Sequence, residues 1–450
     1  MISLIIHDTL ALALAVLLQT NPTAADPPTQ GNGDRPDVVA ANREDLKRRL
    51  EESKRSRARL PLPPPTEEEI AEANRRASGS LGGIINNGRM RKLYLPQEFA
   101  LGGFDRRADP AMTATSAFKT EIFWIVSRIN NCAYCQGHQE VKLASEGLTD
   151  DQIASLDGDW SEMTPERRAA FEFVEKVSKR PDLVAEADVA ALRPYYSDIQ
   201  ILEILYTIAG NNAMNRWTGS LAIPQEDHRL FLTPTAEGFA KKRSRVAPLD
   251  PTSKDPACAP MNQRGPLPDR SVVERRIEEA RGRRPRIGLA DIATTRRVLS
   301  LSDEIEPTSL DRLLANFPVV GPTRRKSILA SRSAGVLDRR IAAEIAYVAA
   351  LHDRAWYALN DAKNRLIALG IPETEIAALG EIDKIGDHKR RVALSLAAKI
   401  TVDPARITDE DIEKARRLFS DKEVAEIVFQ SAEAASLDRL TEVAGLPVER

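Results

Sequence analysis

An internal repeat is the feature of this sequence that most restricts its fold. Glu121-Ile122 recurs 223 positions later as Glu344-Ile345, and the same spacing runs without a gap to Pro224 and Pro447. Further identities at this spacing include Tyr134 with Tyr357, Gly147 with Gly370, Arg167-Arg168 with Arg390-Arg391, Pro181 with Pro404, Ser197-Asp198 with Ser420-Asp421, Arg216 with Arg439, and Thr218 with Thr441. A constant spacing over about a hundred residues is typical of a duplication, so we expect two copies of one fold.

The pattern of apolar residues and helix starts predicts an all-α protein. Residues Phe118 to Ile129 carry a broad apolar face, and Thr149 and Ser197 precede helical segments as N-caps. Thr164-Pro165-Glu166 is typical of a helix start with proline in the first turn. No stretch shows sustained alternation of apolar and polar residues or a hairpin signal. We therefore predict two helical domains in tandem.

Length and composition divide the chain. Its 450 residues are too many for one ordinary hydrophobic core, so two folded domains are expected. Acidic and basic residues nearly cancel, to a formal net charge of -2, and no charge excess suggests nucleic-acid binding. The predicted division is a signal peptide over 1–25, a disordered tether over 26–65, a first domain over 66–240, a linker over 241–270 and a second domain over 271–450.

The N-terminal segments predict export followed by a tether. The apolar run from Thr9 to Leu18 is too short to span a bilayer, and Thr23-Ala24-Ala25 supplies the small residues that a signal peptidase uses, although no Lys or Arg precedes the run. We expect a periplasmic or extracellular protein, with a cytoplasmic one as the alternative, and no membrane span. The polar, Pro-rich stretch that ends at Pro65 predicts a tether, and its charged run from Asn42 to Arg59 at most a solvated helix.

The residues that carry chemistry are Cys132 and Cys135, in the sequence Cys132-Ala133-Tyr134-Cys135. Two thiols three positions apart can close a redox disulfide. Asn130-Asn131, just before the pair, predicts a helix break, and a new helix would then lower the pKa of Cys132 more than that of Cys135 through its dipole. The third cysteine, Cys258, lies in a Pro-rich part of the linker and is interpreted as incidental.

A working thiolate needs a group that takes its proton, and Glu121 and His138 are the candidates. Eleven residues are about three helical turns, which would place Glu121 on the same face as Cys132. His138 follows Cys135 by one turn. A helix-surface carboxylate is the alternative for Glu121. The nearby aromatic residues are interpreted as core: Trp124, Tyr134 and Trp217.

Metal or haem chemistry explains the cysteine pair less well. A Cys-x-x-Cys sequence can be half of a zinc site, but such a site needs further ligands at paired spacing. The remaining histidines show no such spacing: His7, His228, His352 and His388. Covalent haem attachment needs His directly after the second cysteine, where this chain has Gln136. We therefore expect no cofactor and no metal.

The residues around the cysteine pair resemble those of a known family. Glu121, the cysteine pair, His138 and the segment from Asn215-Arg216-Trp217-Thr218 to Pro224 look like the carboxymuconolactone decarboxylase superfamily, in its alkylhydroperoxidase D-like, peroxidase-related branch. The resemblance covers both copies, over residues 92–224 and 313–447, and only the first copy carries the redox motif. It implies an all-α, oligomeric peroxidase whose disulfide is reduced by a partner thiol protein.

The same resemblance implies roles for the site residues. Cys135 would attack the hydroperoxide, Cys132 would resolve the product as a disulfide, and Glu121 with His138 would move the proton. This chain departs from the family at three positions. The Glu and His of the family fall one residue away, and the family often has His between the cysteines; the residues at these places are Thr120, Gln139 and Tyr134.

The second copy lacks the redox residues. At the repeat spacing Cys132 becomes Ala355, Cys135 becomes Ala358 and His138 becomes Asp361. We interpret this copy as a structural partner that replaces an identical subunit, so that the chain is a pseudo-dimer or part of a homo-oligomer that packs equivalent helices about a twofold axis. The predicted function is a thiol-dependent peroxidase, that is, an antioxidant oxidoreductase. The alternative is a lactone decarboxylase or a non-redox scaffold on the same fold.

Overall fold

Helices make up the secondary structure of the part of the chain that can be described. The computed structural model describes residues 37–75, 83–99, 108–226, 231, 233–248 and 265–449; the predicted signal peptide and Cys258 lie outside these ranges. Within them no β-strand forms, and the predicted all-α class is confirmed. None of the helices so described is long and apolar enough to cross a membrane.

Most helices of the first half recur in the second half at or near the repeat spacing. In the first half the helices are α1 (Arg43–Glu52), α2 (Glu67–Arg75), α3 (Asn86–Tyr94), α4 (Ser116–Ile129), α5 (Ala133–Ser145), α6 (Asp150–Ser155), α7 (Pro165–Lys179), α8 (Glu186–Ala190), α9 (Asp198–Ser220) and α10 (Glu237–Ala240). In the second half they are α11 (Arg270–Arg281), α12 (Ile292–Leu299), α13 (Ser309–Leu314), α14 (Val320–Ser333), α15 (Arg339–Asp353), α16 (Trp356–Ala368), α17 (Glu373–Ala377), α18 (His388–Val402), α19 (Asp409–Arg416) and α20 (Asp421–Ala444).

The helix starts that the sequence predicts are present. Thr149 and Ser197 each form a capping box at the start of α6 and α9, because each side chain accepts from the backbone N–H three residues on, while a glutamine side chain bonds back to the cap. Pro165 occupies the first position of α7, where its missing N–H costs no hydrogen bond. Ser420 repeats the Ser197 capping box at the start of α20.

The spacing of 223 residues recurs in the backbone itself. α16 begins and ends 223 residues after α5, and α18 does so after α7. Asn131 and Arg354, which precede α5 and α16, both adopt the left-handed conformation with φ of 52°. Buried Glu203 accepts the backbone N–H groups of Thr113 and Ala114, and the equivalent Glu426 accepts those of the equivalent residues Val336 and Leu337. The two halves therefore share one arrangement of helices.

Reciprocal contacts join the two halves. The long helices α9 and α20 pack against each other. Arg216 of α9 donates to the carbonyl of Thr401 at 3.1 Å, and the equivalent Arg439 of α20 donates to the carbonyl of Ser178 at 3.0 Å. Thr401 and Ser178 are themselves 223 positions apart. Each half thus donates from the same arginine to the same carbonyl position of the other half.

The prediction of a tether over 26–65 is wrong for the residues from 37 onward, which pack against the first half. α1 lies on the first half, with Leu46 and Leu50 buried on one face, four residues apart. Buried Arg43 donates to both carboxylate oxygens of Glu140, at 2.9 and 2.8 Å, and also binds Asp150. The tether was predicted from the composition of the whole segment, which is polar on average. That average does not reveal two leucines at helical spacing or a charged residue with buried partners.

The start of the predicted linker is also packed. Val246 is fully buried, and the guanidinium of Arg245 lies over the ring of Trp160, 4.4 Å from its centroid. Residues 241–248 therefore belong to the first half, and the prediction of a linker over 241–270 is wrong for them. The middle of that range falls outside the described residues.

Asp150 makes the docking of α1 sensitive to acid. Burial alone would raise the pKa of Asp150, but hydrogen bonds from Arg43, Lys47 and Thr235 lower that pKa to about 2. A carboxyl group with a lowered pKa in the folded state stabilises the fold above its unfolded pKa, and this contribution is lost as the pH falls from about 4 to about 2. Because solvent screens part of the effect, we expect it to contribute about 1–2 kcal/mol.

Replacing Asp150 by asparagine should therefore lower the free energy of unfolding by about 1–2 kcal/mol at neutral pH. Asparagine does not titrate, so the variant and the natural chain should differ less near pH 3, which urea unfolding at both pH values would measure. Asp151→Asn is the matched control, since its carboxylate accepts a backbone N–H from Ala236. Parallel acid curves for Asp150→Asn and the natural chain would contradict this account.

Candidate functional site: a buried thiol pair

The cysteine pair opens a helix, as the sequence predicts. Asn130 ends α4, Asn131 turns the chain with its left-handed conformation, and Cys132 is the N-cap of α5. The backbone N–H of Cys135 donates to the sulfur of Cys132 at 3.3 Å. The sulfur of Cys132 therefore faces the positive end of the helix dipole, which favours its thiolate form.

One hydroxyl group connects the two thiols. The Oγ1 atom of Thr218 lies 3.0 Å from the sulfur of Cys132 and 2.9 Å from that of Cys135. Both cysteines are reduced and buried. The Thr218 hydroxyl also donates to the carbonyl of Met214 at 2.9 Å, and it can rotate to donate to a thiolate instead. It is therefore placed to pass a proton between the two sulfur atoms.

The two thiols differ in acidity. Burial alone would raise the pKa of Cys132, but hydrogen bonds from Cys135 and Thr218 lower it below the ordinary thiol value. The positive charge of Arg49 adds to this lowering. Burial and the neighbouring Cys132 raise the pKa of Cys135 well above that value. Cys132 is thus the more acidic thiol of the pair, in the direction that the sequence predicts from the helix dipole.

Arg49 is a site residue that the sequence reasoning missed. It lies on α1, and its guanidinium donates to the side-chain carbonyl of Asn131 and, at 3.4 Å, to the backbone carbonyl of the same residue. These bonds hold a positive charge beside the turn that leads into Cys132. Leu46 and Leu50, which dock α1, were the available signal, because a docked α1 is no longer a tether whose charges face only solvent.

Replacing Arg49 by glutamine should raise the pKa of Cys132, because glutamine keeps a donor for Asn131 but removes the positive charge. Alkylation of Cys132 by iodoacetamide at neutral pH should then slow by up to about tenfold, and the pH profile of alkylation should move to higher pH. Arg48→Gln is the matched control, since that side chain is 66% exposed and pairs with Asp45. Equal alkylation profiles for the Arg49→Gln and Arg48→Gln variants would contradict an electrostatic role for Arg49.

Glu121 does not share a helix with the thiols. The prediction that it lies on the same face as Cys132 assumed one continuous helix, but α4 ends at Ile129. Instead Glu121 forms an ion pair with Arg167 of α7. The same pair recurs between Glu344 and Arg390 in the half that has no cysteines. A contact that persists without the thiols is part of the scaffold.

His138 lies on the same helix as the thiols but contacts a different group. Its Nδ1 atom is 3.0 Å from the carbonyl of Tyr134, and its Nε2 atom is 3.5 Å from a carboxylate oxygen of Glu226. The Tyr134 hydroxyl donates to Glu226 at 2.7 Å. Tyr357 and Glu449 repeat this hydroxyl–carboxylate contact in the second half, at 3.3 Å. The tyrosine–glutamate contact is therefore structural, and the first half adds a histidine to it.

The two positions where the family has its relay residues are neutral here. The amide of Gln139 donates to the carbonyl of Cys135 at 3.1 Å. The hydroxyl of Thr120 donates to the carbonyl of Ser116 at 2.8 Å. Each side chain bonds a backbone carbonyl of its own helix, and neither carries an ionisable group.

A buried amide network lies under the thiols. The Asn130 amide donates to both Asn212 and Asn215, each at 3.1 Å, and Asn215 donates to Ser127 at 3.1 Å. Asn215 also acts to lower the pKa of the Cys135 thiol, against the larger effect of burial. In the second half these positions carry other residues: Asp353, Ala435, Asp438 and Ala350. These network residues thus occur in the half that has the thiols and are replaced in the half that lacks them. A comparison of the two copies at the repeat spacing was the signal in the sequence that could have found the network.

A cavity of about 230 Å³ lies against the first turn of α5. Its lining includes Arg49, Ala133 and Thr218 from the first half and Asp409 from the second. Arg59 holds Asp409 beside this cavity, because it binds Asp409 at 2.7 Å and also donates to the last carbonyls of α9. Residues from both halves therefore line the cavity that reaches Thr218, whose hydroxyl contacts both sulfur atoms.

The residues with described positions include no group of three or more His, Cys, Asp or Glu arranged to hold a metal ion. A scan against protein-family models and a search of curated proteins find no match to this chain.

Proposed function

We propose that the protein is a thiol-dependent peroxidase that cycles Cys132 and Cys135 between a dithiol and a disulfide. The observation that carries the proposal is the geometry of the pair: two reduced thiols share one hydroxyl at a helix N-terminus, and one of them has a lowered pKa. Such a pair supplies both a nucleophile and a neighbouring thiol that condenses with the oxidised product.

The first step uses Cys132. Its thiolate attacks the terminal oxygen of a hydroperoxide, the O–O bond breaks, and a sulfenic acid forms on Cys132 while an alkoxide or hydroxide leaves. The leaving oxygen takes the proton of the Cys135 thiol, which the Thr218 hydroxyl can transfer because it lies within 3.0 Å of both sulfur atoms. This order reverses the roles that the family resemblance implies, and the reason is the opposite pKa shifts of the two thiols.

The second step closes the disulfide. The Cys135 thiolate attacks the sulfur of Cys132, hydroxide leaves and takes up a proton, and water is released. One hydroperoxide and two thiols thus give one alcohol, one water and one disulfide. A dithiol reductant must then return two electrons and two protons, so the proposal requires a partner thiol protein. Glu121 has no step in this sequence, because it pairs with Arg167 in a scaffold contact.

An activity assay tests the proposal. Purified protein with dithiothreitol should consume hydrogen peroxide and cumene hydroperoxide catalytically, and a variant with both Cys132→Ser and Cys135→Ser should not. The double variant is the control for uncatalysed reduction by dithiothreitol. Consumption at the same rate with both proteins would contradict the proposal and favour the alternative, a decarboxylase or scaffold on this fold that keeps an idle thiol pair.

A further inference from the structure

A second cavity, of about 670 Å³, lies in the first half away from the thiols. Its lining includes Ala117 and Glu121 of α4, Arg167 of α7, and the aromatic rings of Trp160 and Phe239. The proposed peroxidase chemistry uses none of these residues. The cavity is of the size that binds small organic molecules, and its lining combines apolar side chains with several acidic and basic ones.

The second half shows which side chain can occupy the space beside the carboxylate that is equivalent to Glu121. Ala117 corresponds to Arg340, and Glu121 corresponds to Glu344. The guanidinium of Arg340 donates to Glu344 at 2.9 Å and also binds Glu375. In the first half the methyl group of Ala117 leaves that place open.

The carboxylate of Glu121 keeps an acceptor oxygen for this space. Arg167 binds the Oε2 atom of Glu121. In the second half Arg390 binds both oxygens of Glu344, and Arg340 adds its bond to Oε1. The Glu121 carboxylate, 13% exposed and facing the cavity, therefore has the same chemistry as Glu344 but one guanidinium fewer beside it.

A second position beside the carboxylate also differs between the two halves. Glu375, which shares the Arg340 guanidinium in the second half, corresponds to Gln152 in the first, and Gln152 also lines the cavity. The side-chain carbonyl of Gln152 accepts from the backbone N–H of Thr149 at 2.8 Å in its capping box, and its second lone pair can accept from a further donor. Glu121 and Gln152 thus present two acceptors, one of them charged, at the place where the Arg340 guanidinium lies in the other half.

We propose that this cavity binds a small organic molecule with an amidinium or guanidinium head and an aromatic or aliphatic body. The head takes the place that Arg340 fills in the second half and donates to Glu121 and Gln152. The body lies along the rings of Trp160 and Phe239, which line the cavity, so that binding buries apolar surface. This binding is independent of the thiol chemistry.

Calorimetry with benzamidine tests the proposal, with benzamide as the neutral ligand of the same shape. The full chain should bind benzamidine at least about tenfold more tightly than benzamide, because a charged hydrogen bond is worth more than a neutral one. The Ala117→Arg variant rebuilds the arrangement of the second half and should lower benzamidine affinity by at least about tenfold. Peroxide reduction by this variant should not change.

Two further variants complete the test. Ser116→Arg adds the same charge at the neighbouring, exposed position of α4 and should leave benzamidine binding unchanged. Glu121→Gln should weaken binding as much as Ala117→Arg does, so that a folding defect in either variant leaves the other informative. Equal binding of benzamide and benzamidine, full benzamidine binding by Ala117→Arg, or no binding by the natural chain would each overturn the proposal. The peroxidase assay decides the proposed function separately.

Discussion

Replacing Cys132 by serine should lower peroxide turnover by roughly a thousandfold or more, because a serine hydroxyl is not ionised at neutral pH and is a far weaker nucleophile toward peroxide. The neighbouring contacts would survive, since the serine oxygen can keep the hydrogen bonds of the sulfur to Thr218 and to the Cys135 backbone. The loss would therefore report on chemistry rather than on folding. Steady-state peroxide consumption with dithiothreitol measures it.

The repeat offers a matched control for this variant. Ala355 occupies the position equivalent to Cys132, before α16, and Ala355→Ser should leave turnover unchanged. Cys135→Ser should behave differently from Cys132→Ser: it should still form a sulfenic acid on Cys132, which dimedone traps, but it should not form the disulfide. A sulfenic acid on Cys135 in the Cys132→Ser variant, and none on Cys132 in the Cys135→Ser variant, would contradict the assigned order and restore the one that the family resemblance implies.

Replacing Arg439 by methionine should lower the free energy of unfolding by about 3–5 kcal/mol, because it leaves the carboxylate of Asp353 buried without this guanidinium. Both side chains of the ion pair are 0% exposed, and their N–O distance is 3.0 Å. The same substitution also removes the bond from Arg439 to the carbonyl of Ser178, which joins the two halves. Chemical denaturation at neutral pH measures the loss.

The equivalent arginine in the first half is the control. Arg216 donates at 3.4 Å to the neutral side chain of Asn130, which is the equivalent of Asp353. It also donates to Asn212 at 3.0 Å and, across the halves, to the carbonyl of Thr401. Arg216→Met should therefore cost less, about 1–3 kcal/mol. If the two variants lost the same stability, the buried charge of Asp353 would not be the cause, and the contact between the halves alone would explain both.

The local signals in the sequence predicted the fold well. Helix caps such as Thr149 and Ser197 depend on groups three residues apart, and the break at Asn130-Asn131 depends on two adjacent residues. The repeat spacing then predicted the same helix starts and breaks 223 residues later, in the second half. Each of these predictions needed only short-range chemistry or an exact internal comparison.

The site needed contacts that no local pattern contains. Thr218 was noted as an identity within the repeat and as part of the segment that resembles the family, but not as a partner of the thiols, because its position 83 residues after Cys135 gives no sign that the two meet. Arg49 was assigned to a tether because the composition of a long segment was averaged over two docked leucines. Glu121 was placed beside the thiols by counting helical turns across a break, which is valid only within one helix.

A thiol-trapping mass spectrum before and after one equivalent of peroxide tests the central claim most directly. Before peroxide, the peptide that contains Cys132 and Cys135 should carry two alkyl groups. After peroxide it should carry none and should have lost two hydrogen atoms, while Cys258 stays alkylated as an internal standard. A peptide that still carries both alkyl groups after peroxide would contradict a redox role for the pair.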